Sequence, residues 1–219
     1  MHSGKLEDGL RQVLPLCMWV LVVGPAVWLL TAALTGHLSA DPIDGLQRAT
    51  GRWTLRYLMA SLSITPLMRL TRFGWLIVWR RFLGLSAFFW ATAHLLVYVI
   101  LDWFFDWAEM WKDLSEHWYI TLGMLAFVLL VPLALTSTRS SIRRLGARKW
   151  VRLHSLVYVA AVAASLHYFQ AVKKDVSQPI LYSGIIAMLL VLRLFWSAQR
   201  HFVDPQLSES RMEHRRRAG

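Results

Sequence analysis

At five places in this chain, apolar residues run nearly unbroken for about the length of a bilayer crossing, and that leaves few architectures open. The stretches are 14–34, 82–101, 118–136, 150–170 and 179–198. A sixth, 53–70, is weaker because it contains Arg56 and Pro66. It still reads as a helix: Arg56 lies near one end and snorkels, and proline is tolerated in a membrane helix whose neighbours satisfy the freed carbonyl. With 56% apolar residues, 12 Trp and a mean hydropathy of +0.42, little is left for a large soluble domain. The expected fold is an all-α integral membrane protein, a bundle of six transmembrane helices.

Six spans place both termini on one side, and charge selects the side. With the N-terminus inside, the inner segments (the N-terminal arm, 69–81, 138–152 and the tail from Arg193) hold 18 of the 24 Lys and Arg. The outer loops hold six Lys and Arg against eight Asp and Glu, mostly in the acidic, tryptophan-rich segment 102–118. The positive-inside rule therefore predicts a multi-pass protein with cytoplasmic termini. The organisation expected is a cytoplasmic arm at 1–13, a transmembrane domain at 14–198 and a basic cytoplasmic tail at 199–219. The net charge of +11 is then mostly topology, so the tail is not read as a nucleic-acid arm. Trp53, Trp103, Trp107, Trp111, Trp118 and Trp150 lie near predicted span ends and suit aromatic belts among the lipids.

The first apolar run is longer than a signal-peptide core and is read as a retained span. Its Cys17 is the single cysteine, so no intramolecular disulfide forms. The sequence has no Cys-x-x-Cys-His for covalent haem attachment and no GxGxxG. A self-contained NAD(P)H reductase would need a nucleotide-binding domain, and none is present.

Three histidines fall inside these spans: His94 in the third, His154 and His167 in the fifth. Hydrocarbon penalises an ionisable side chain unless a partner, a cavity or a metal compensates, and neutral imidazole is a common axial ligand of haem iron. His94 lies about 18 Å along its helix from Phe82, in the outer half. His154 falls near the inner face and His167 about 20 Å further out. His94 and His167 thus share a depth, as two ligands of one six-coordinate haem would. His154 sits about 140° around an ideal helix from His167, a mismatch that a bend or tilt would reconcile. For His154 three roles stay open: an inner haem with a non-histidine or absent partner, a quinone or flavin contact, or pairing with the inner basic loop. The pair could alternatively serve a haem-free quinone-binding or proton-coupled transport module, or act only as interhelical glue.

Several motifs then carry a resemblance. Ser39-Ala-Asp-Pro-Ile-Asp, Thr50-Gly-Arg-Trp-Thr, Ile64-Thr-Pro-Leu, Arg80-Arg-Phe-Leu-Gly-Leu, Ala93-His-Leu, Leu135-Thr-Ser-Thr and Leu145-Gly-Ala-Arg-Lys-Trp-Val-Arg-Leu-His-Ser-Leu-Val-Tyr resemble the MsrQ (YedZ) family. These are haem-binding membrane subunits of the bacterial periplasmic methionine-sulfoxide reductase system. The wider relatives, ferric-reductase and NADPH-oxidase transmembrane domains, carry two histidines on the third helix and two on the fifth. His154 and His167 match the fifth-helix spacing and His94 the outer third-helix position, while Arg80 stands at the inner one.

The resemblance implies a b-type haem electron conduit, with His94 and His167 as axial ligands to the iron and a second haem as a candidate. It implies electrons taken from the quinone pool or a cytoplasmic flavin reductase and passed to a periplasmic molybdenum-cofactor reductase of the MsrP type. The chemistry on methionine sulfoxide would belong to that partner. The resemblance also brings FMN as a candidate cofactor. Arg80, Arg81, Arg143, Arg144, Arg148 and Lys149 are candidate phosphate contacts, and His154 with Arg80 and Arg81 a candidate inner haem, quinone or flavin site. Arg52 and Arg56, one helical turn apart, suit haem propionates, since guanidinium matches carboxylate. The outer carboxylates Asp102, Asp106, Glu109, Asp113 and Glu116 are candidates for docking the reductase.

Overall fold

Among the described residues the chain forms helices and no strand: α1 (His2–Leu34), α2 (Pro42–Thr71), α3 (Ile77–Leu96), α4 (Trp107–Glu116), α5 (Trp118–Leu135), α6 (Arg139–Leu145), α7 (Ala147–His154), α8 (Leu156–Ala171) and α9 (Ser177–Trp196). The computed structural model describes residues 2–173 and 175–196, with side chains from residue 18 onward. The predicted tail at 199–219 lies outside the described residues. Among the described residues three segments are long and apolar enough to cross a membrane: Gly74–Asp102, Trp118–Leu135 and Ser177–Trp196.

Several boundaries differ from the hydropathy reading, each for a local reason. The second helix begins at Pro42, well before residue 53, because Asp41 accepts from the N–H groups of Ile43 (3.0 Å) and Asp44 (3.2 Å) and Pro42 fits the first helical turn. Hydropathy is blind to that start, since the first turns of α2 are polar. The third span is 74–102 and not 82–101: a 3-10 turn at Gly74–Leu76 leads into α3, and a π-helix over Val97–Asp102 continues it. Beyond it Phe104 and Phe105 take positive φ values of 43° and 64°, costly for bulky residues. They turn the chain into α4, which the outer loop was not expected to contain. Asp106 caps α4 through the N–H groups of Ala108 and Glu109. The fifth span is interrupted at Ser155, whose hydroxyl donates to the Arg152 carbonyl at 2.6 Å, separating α7 from α8.

The helices pack chiefly as two hairpins, α2 against α3 and α5 against α8. Ala87, Ala160 and Ala161 are completely buried, and such small residues let helix backbones approach closely. The fully buried Leu58 and Trp90 fill the centre. Most of the apolar surface points the other way. Only 17% of Trp118–Leu135 is buried, and Trp19, Val27, Leu34, Val128 and Val191 project outward. That much apolar surface facing water would be an aggregation liability; facing lipid it is what a membrane protein requires.

Helix α9 is laced to both hairpins by polar contacts. Ser165 donates to Ser183 at 2.8 Å, and Arg193 donates through Nη2 to Thr65 at 2.7 Å and through Nη1 to the Tyr158 hydroxyl. At its start Asp175 accepts from the Ser177 N–H at 3.0 Å, and hydrogen bonds from Ser177 hold the Asp175 carboxyl below the usual carboxylate range.

Overpacking the α5–α8 contact tests the alanine seam. Ala160→Leu is expected to cost about 1–3 kcal/mol, read as a lowered midpoint in thermal unfolding of the detergent-solubilised chain.

Candidate functional site

The two hairpins each carry one histidine, and the fold brings these together. His94, near the end of α3, and His167, on α8, lie with ring centres 6.1 Å apart and planes at 74°. Each ring is held across its own hairpin by the same device. The Nδ1 of His94 is 3.0 Å from the Gln47 carbonyl on α2, and the Nδ1 of His167 is 2.7 Å from the Tyr119 carbonyl on α5. A carbonyl only accepts, so in the neutral imidazole both rings carry the proton on Nδ1 and keep the Nε2 lone pair. This is the tautomer that a metal-ligating histidine with a carbonyl behind it adopts.

Glycines make the approach sterically feasible. Four residues after each carbonyl comes Gly51 or Gly123, where a side chain would otherwise flank it. A Cβ at position 51 would stand 3.1 Å from His94 Cε1, and one at position 123 only 2.8 Å from His167 Nδ1. Thr50 adds a second acceptor on the α3 side. Its hydroxyl donates to the Leu46 carbonyl at 2.8 Å, so its oxygen is available to His94 Nδ1 at 3.2 Å. The π-helix begins three residues after His94; such segments recur at functional sites.

The pair fits an iron held between two imidazoles. A metal–nitrogen bond of about 2 Å, with the ring centre about 1 Å beyond the nitrogen, puts the ring centres about 6 Å apart. Two buried polar atoms on flanking residues also lack a partner: Gln47 Oε1, and Nε1 of Trp90, one turn before His94. Among the described residues no cluster of three His, Cys, Asp or Glu is placed to hold a metal ion.

His154 stands apart from the pair, at the end of α7. It stacks on Trp150 with ring centres 3.9 Å apart, and its Nε2 lies 3.1 Å from the Thr136 hydroxyl. That hydroxyl donates to the Pro132 carbonyl at 2.6 Å, so it accepts from His154 Nε2–H. Trp150 Nε1 donates to the carbonyl of the same Thr136 at 3.0 Å. As arranged, His154 offers Nδ1 and not Nε2, the opposite of the other two. The helix is interrupted at Ser155, between His154 and His167.

The remaining candidates are dispersed. Arg56 donates through Nε to the Tyr182 hydroxyl at 2.9 Å and lies over the Trp53 ring at 4.8 Å, while Arg52 is half-buried. Arg80 is half-buried, its carbonyl accepting from Ser61 at 2.9 Å, and Arg81 is exposed. In the outer segment Asp106 caps α4, Glu109 pairs with Lys112 at 3.5 Å, and Asp113 accepts from Tyr98 at 2.7 Å and pairs with His117 at 2.9 Å. Most of those carboxylates therefore serve the local fold.

Sequence reasoning reached the histidines and missed what holds them. Thr50-Gly51 was visible as a motif without a role; Gln47 and Tyr119 act through backbone carbonyls, which leave no signature in residue type.

With this geometry in view, similarity to known proteins gains meaning. Residues 50–165 match the family described as ferric reductase like transmembrane component, a class of helical membrane domains. The protein-methionine-sulfoxide reductase heme-binding subunit MsrQ of Rhodospirillum rubrum is 45% identical over 200 residues, covering 91% of this chain and 96% of that protein. The MsrQ subunit of Caulobacter vibrioides is 42% identical over 199 residues, 91% and 93% of the two chains, and that of Herminiimonas arsenicoxydans 49% over 169 residues, 76% and 78%. The chain belongs to the MsrQ family of the ferric-reductase-like transmembrane class. No solved structure gives a significant match.

The tautomers are directly observable. In the haem-free chain with 15N-labelled histidine, His94 and His167 are expected to carry the proton on Nδ1 and His154 on Nε2; the Nδ1–H form at His154 contradicts the role given to Thr136.

Proposed function

We propose that this chain is the b-type haem, electron-transferring membrane subunit of a methionine-sulfoxide reductase system. The observation that carries it is the His94–His167 pair at 6.1 Å, both rings tied back through Nδ1. When bound, the haem supplies reversible one-electron chemistry. The chain's own residues do the rest. His94 and His167 would hold the haem iron through their free Nε2 atoms, and two protein ligands would suit electron transfer. Arg52 and Arg56, on α2 between Gln47 and the middle of the helix, are assigned to the propionates.

The topology assigned is six spans with both termini cytoplasmic, on the strength of the charge asymmetry, in a bacterial inner membrane. The transmembrane domain is 14–198, flanked by the arm 1–13 and the tail 199–219. Electrons enter from quinol or a cytoplasmic flavin reductase, and His154 with Arg80 and Arg81 marks that entry side, where a second haem, a quinone or FMN would bind. They leave to a periplasmic molybdoenzyme of the MsrP type, which performs the reduction of methionine sulfoxide in proteins.

The test is the reduced-minus-oxidised visible spectrum of the purified chain, with a pyridine haemochrome assay for stoichiometry. A low-spin b-type signal is expected in the wild type and in His154→Ala, and its loss in His94→Ala and His167→Ala. With the imidazole planes at 74°, the ferric form is expected to give a strongly anisotropic low-spin electron paramagnetic resonance signal. A folded, active but cofactor-free protein would promote the haem-free quinone or proton-coupled transport module.

Topology has its own test. Alkaline phosphatase fused after residue 112 is expected to be active, and after residue 145 or at the C-terminus inactive; the reverse pattern overturns the assigned orientation.

A further inference from the structure

The two hairpins repeat one construction. On α2 the order is Gln47, then Gly51 four residues on, facing His94; on α5 it is Tyr119, then Gly123, facing His167. In a helix the carbonyl of residue i points toward the N–H of residue i+4 and still has a second lone pair. A side chain at i+4 would crowd that carbonyl; glycine leaves it open to a donor arriving from the side. The clearances at the two glycines agree. The ring atoms of His167 lie 2.8, 2.9 and 3.1 Å from where a Cβ at 123 would be, and those of His94 lie 3.1, 3.3 and 3.7 Å from one at 51. The glycine at 184, by contrast, has nothing within 4 Å.

The two brackets are not equal. His167 has one carbonyl at 2.7 Å, whereas His94 shares its proton between the Gln47 carbonyl at 3.0 Å and the Thr50 hydroxyl at 3.2 Å. An acceptor behind Nδ1 raises the basicity of the ligating nitrogen, and loss of such a partner typically weakens metal binding by about 10–100-fold.

We propose that Gly51 and Gly123 are positioning residues which, by uncovering the Gln47 and Tyr119 carbonyls, fix His94 and His167 with Nε2 turned to a shared iron, and that Thr50 tunes His94 alone. This rests on the haem reading above. Gly123 is the stricter of the two, since its clearance admits no Cβ without movement of the ring or the helix. At Gly51 a Cβ would require the His94 ring to give by a few tenths of an ångström. The effect runs through the orientation and basicity of the ligands, so it reads out in the iron's spin state and potential and not merely in stability.

The experiment compares Gly123→Ala, Gly51→Ala, Thr50→Val and Gly184→Ala with wild type in the full-length detergent-purified chain. Helicity and elution volume establish that each variant folds. Gly123→Ala is expected to lose the six-coordinate low-spin signal, with haem affinity lowered about tenfold or more. Gly51→Ala and Thr50→Val are expected to retain haem with a shifted midpoint potential, and Gly184→Ala to match wild type. A folded Gly123→Ala with a wild-type spectrum and potential overturns the proposal. Should Gly123→Ala fail to fold, unchanged potentials in both Gly51→Ala and Thr50→Val overturn it. Histidine tautomers in the haem-free chain separate this proposal from the haem reading. The Nδ1–H form of His167 is expected in wild type and lost in Gly123→Ala; its persistence there overturns the bracket even where no haem binds.

Discussion

The hydrogen bond from an imidazole Nδ1 to a neighbouring helix carbonyl is the contact around which this bundle is arranged. Hydrocarbon gives a polar ring nothing to bond, so a histidine in a span must find its partner in the protein. Side-chain hydroxyls provide only part of the answer here. The main acceptors for His94 and His167 are backbone carbonyls already committed to their own helices, using a lone pair that helix formation leaves over. No extra polar side chain has to be buried to satisfy the ring. The cost appears instead as a requirement on spacing: the helices must come within hydrogen-bonding reach, and glycine at 51 and 123 permits it.

That requirement explains why the bundle divides into hairpins. Each histidine is bonded across the hairpin to which it belongs, α3 to α2 and α8 to α5, so each half settles its own polar burial before the two meet. Fully buried alanines keep the helices close: Ala87 on α3, and Ala160 and Ala161 on α8. The halves meet at the His94–His167 pair, at the Phe88–Phe127 stack and through α9, which bonds to both. In a lipid-facing protein there is little hydrophobic drive between helices, so packing and such polar contacts carry association.

The sequence made some of this legible because the governing physics is periodic and local. Run length announced the three long apolar segments of the described residues, and a rise of about 1.5 Å per residue predicted that His94 and His167 could meet; their ring centres lie 6.1 Å apart. What escaped has two sources. Some signals were present but unread by hydropathy, as with Asp41-Pro42, which starts α2 in a polar stretch. Others depend on backbone groups or on a partner helix. The interruption at Ser155, the π-helix after His94 and the carbonyls of Gln47 and Tyr119 have no residue-type signature. Gly123 looked like any glycine in an apolar run until His167 was placed against it.

The two ends of the bundle treat buried polarity differently, and the difference bears on how they would handle charge. At the His94–His167 end both rings face backbone carbonyls. At the other end Arg193 reaches between α2 and α8 to the hydroxyls of Thr65 and Tyr158, and among the described residues no carboxylate pairs with it. Hydroxyls satisfy the guanidinium's geometry but leave its charge uncompensated. His154 nearby is held neutral-donor fashion by Thr136, in the Nε2–H form. At the histidine pair the carbonyl brackets fix the orientation of both rings and raise the basicity of the nitrogen each leaves free.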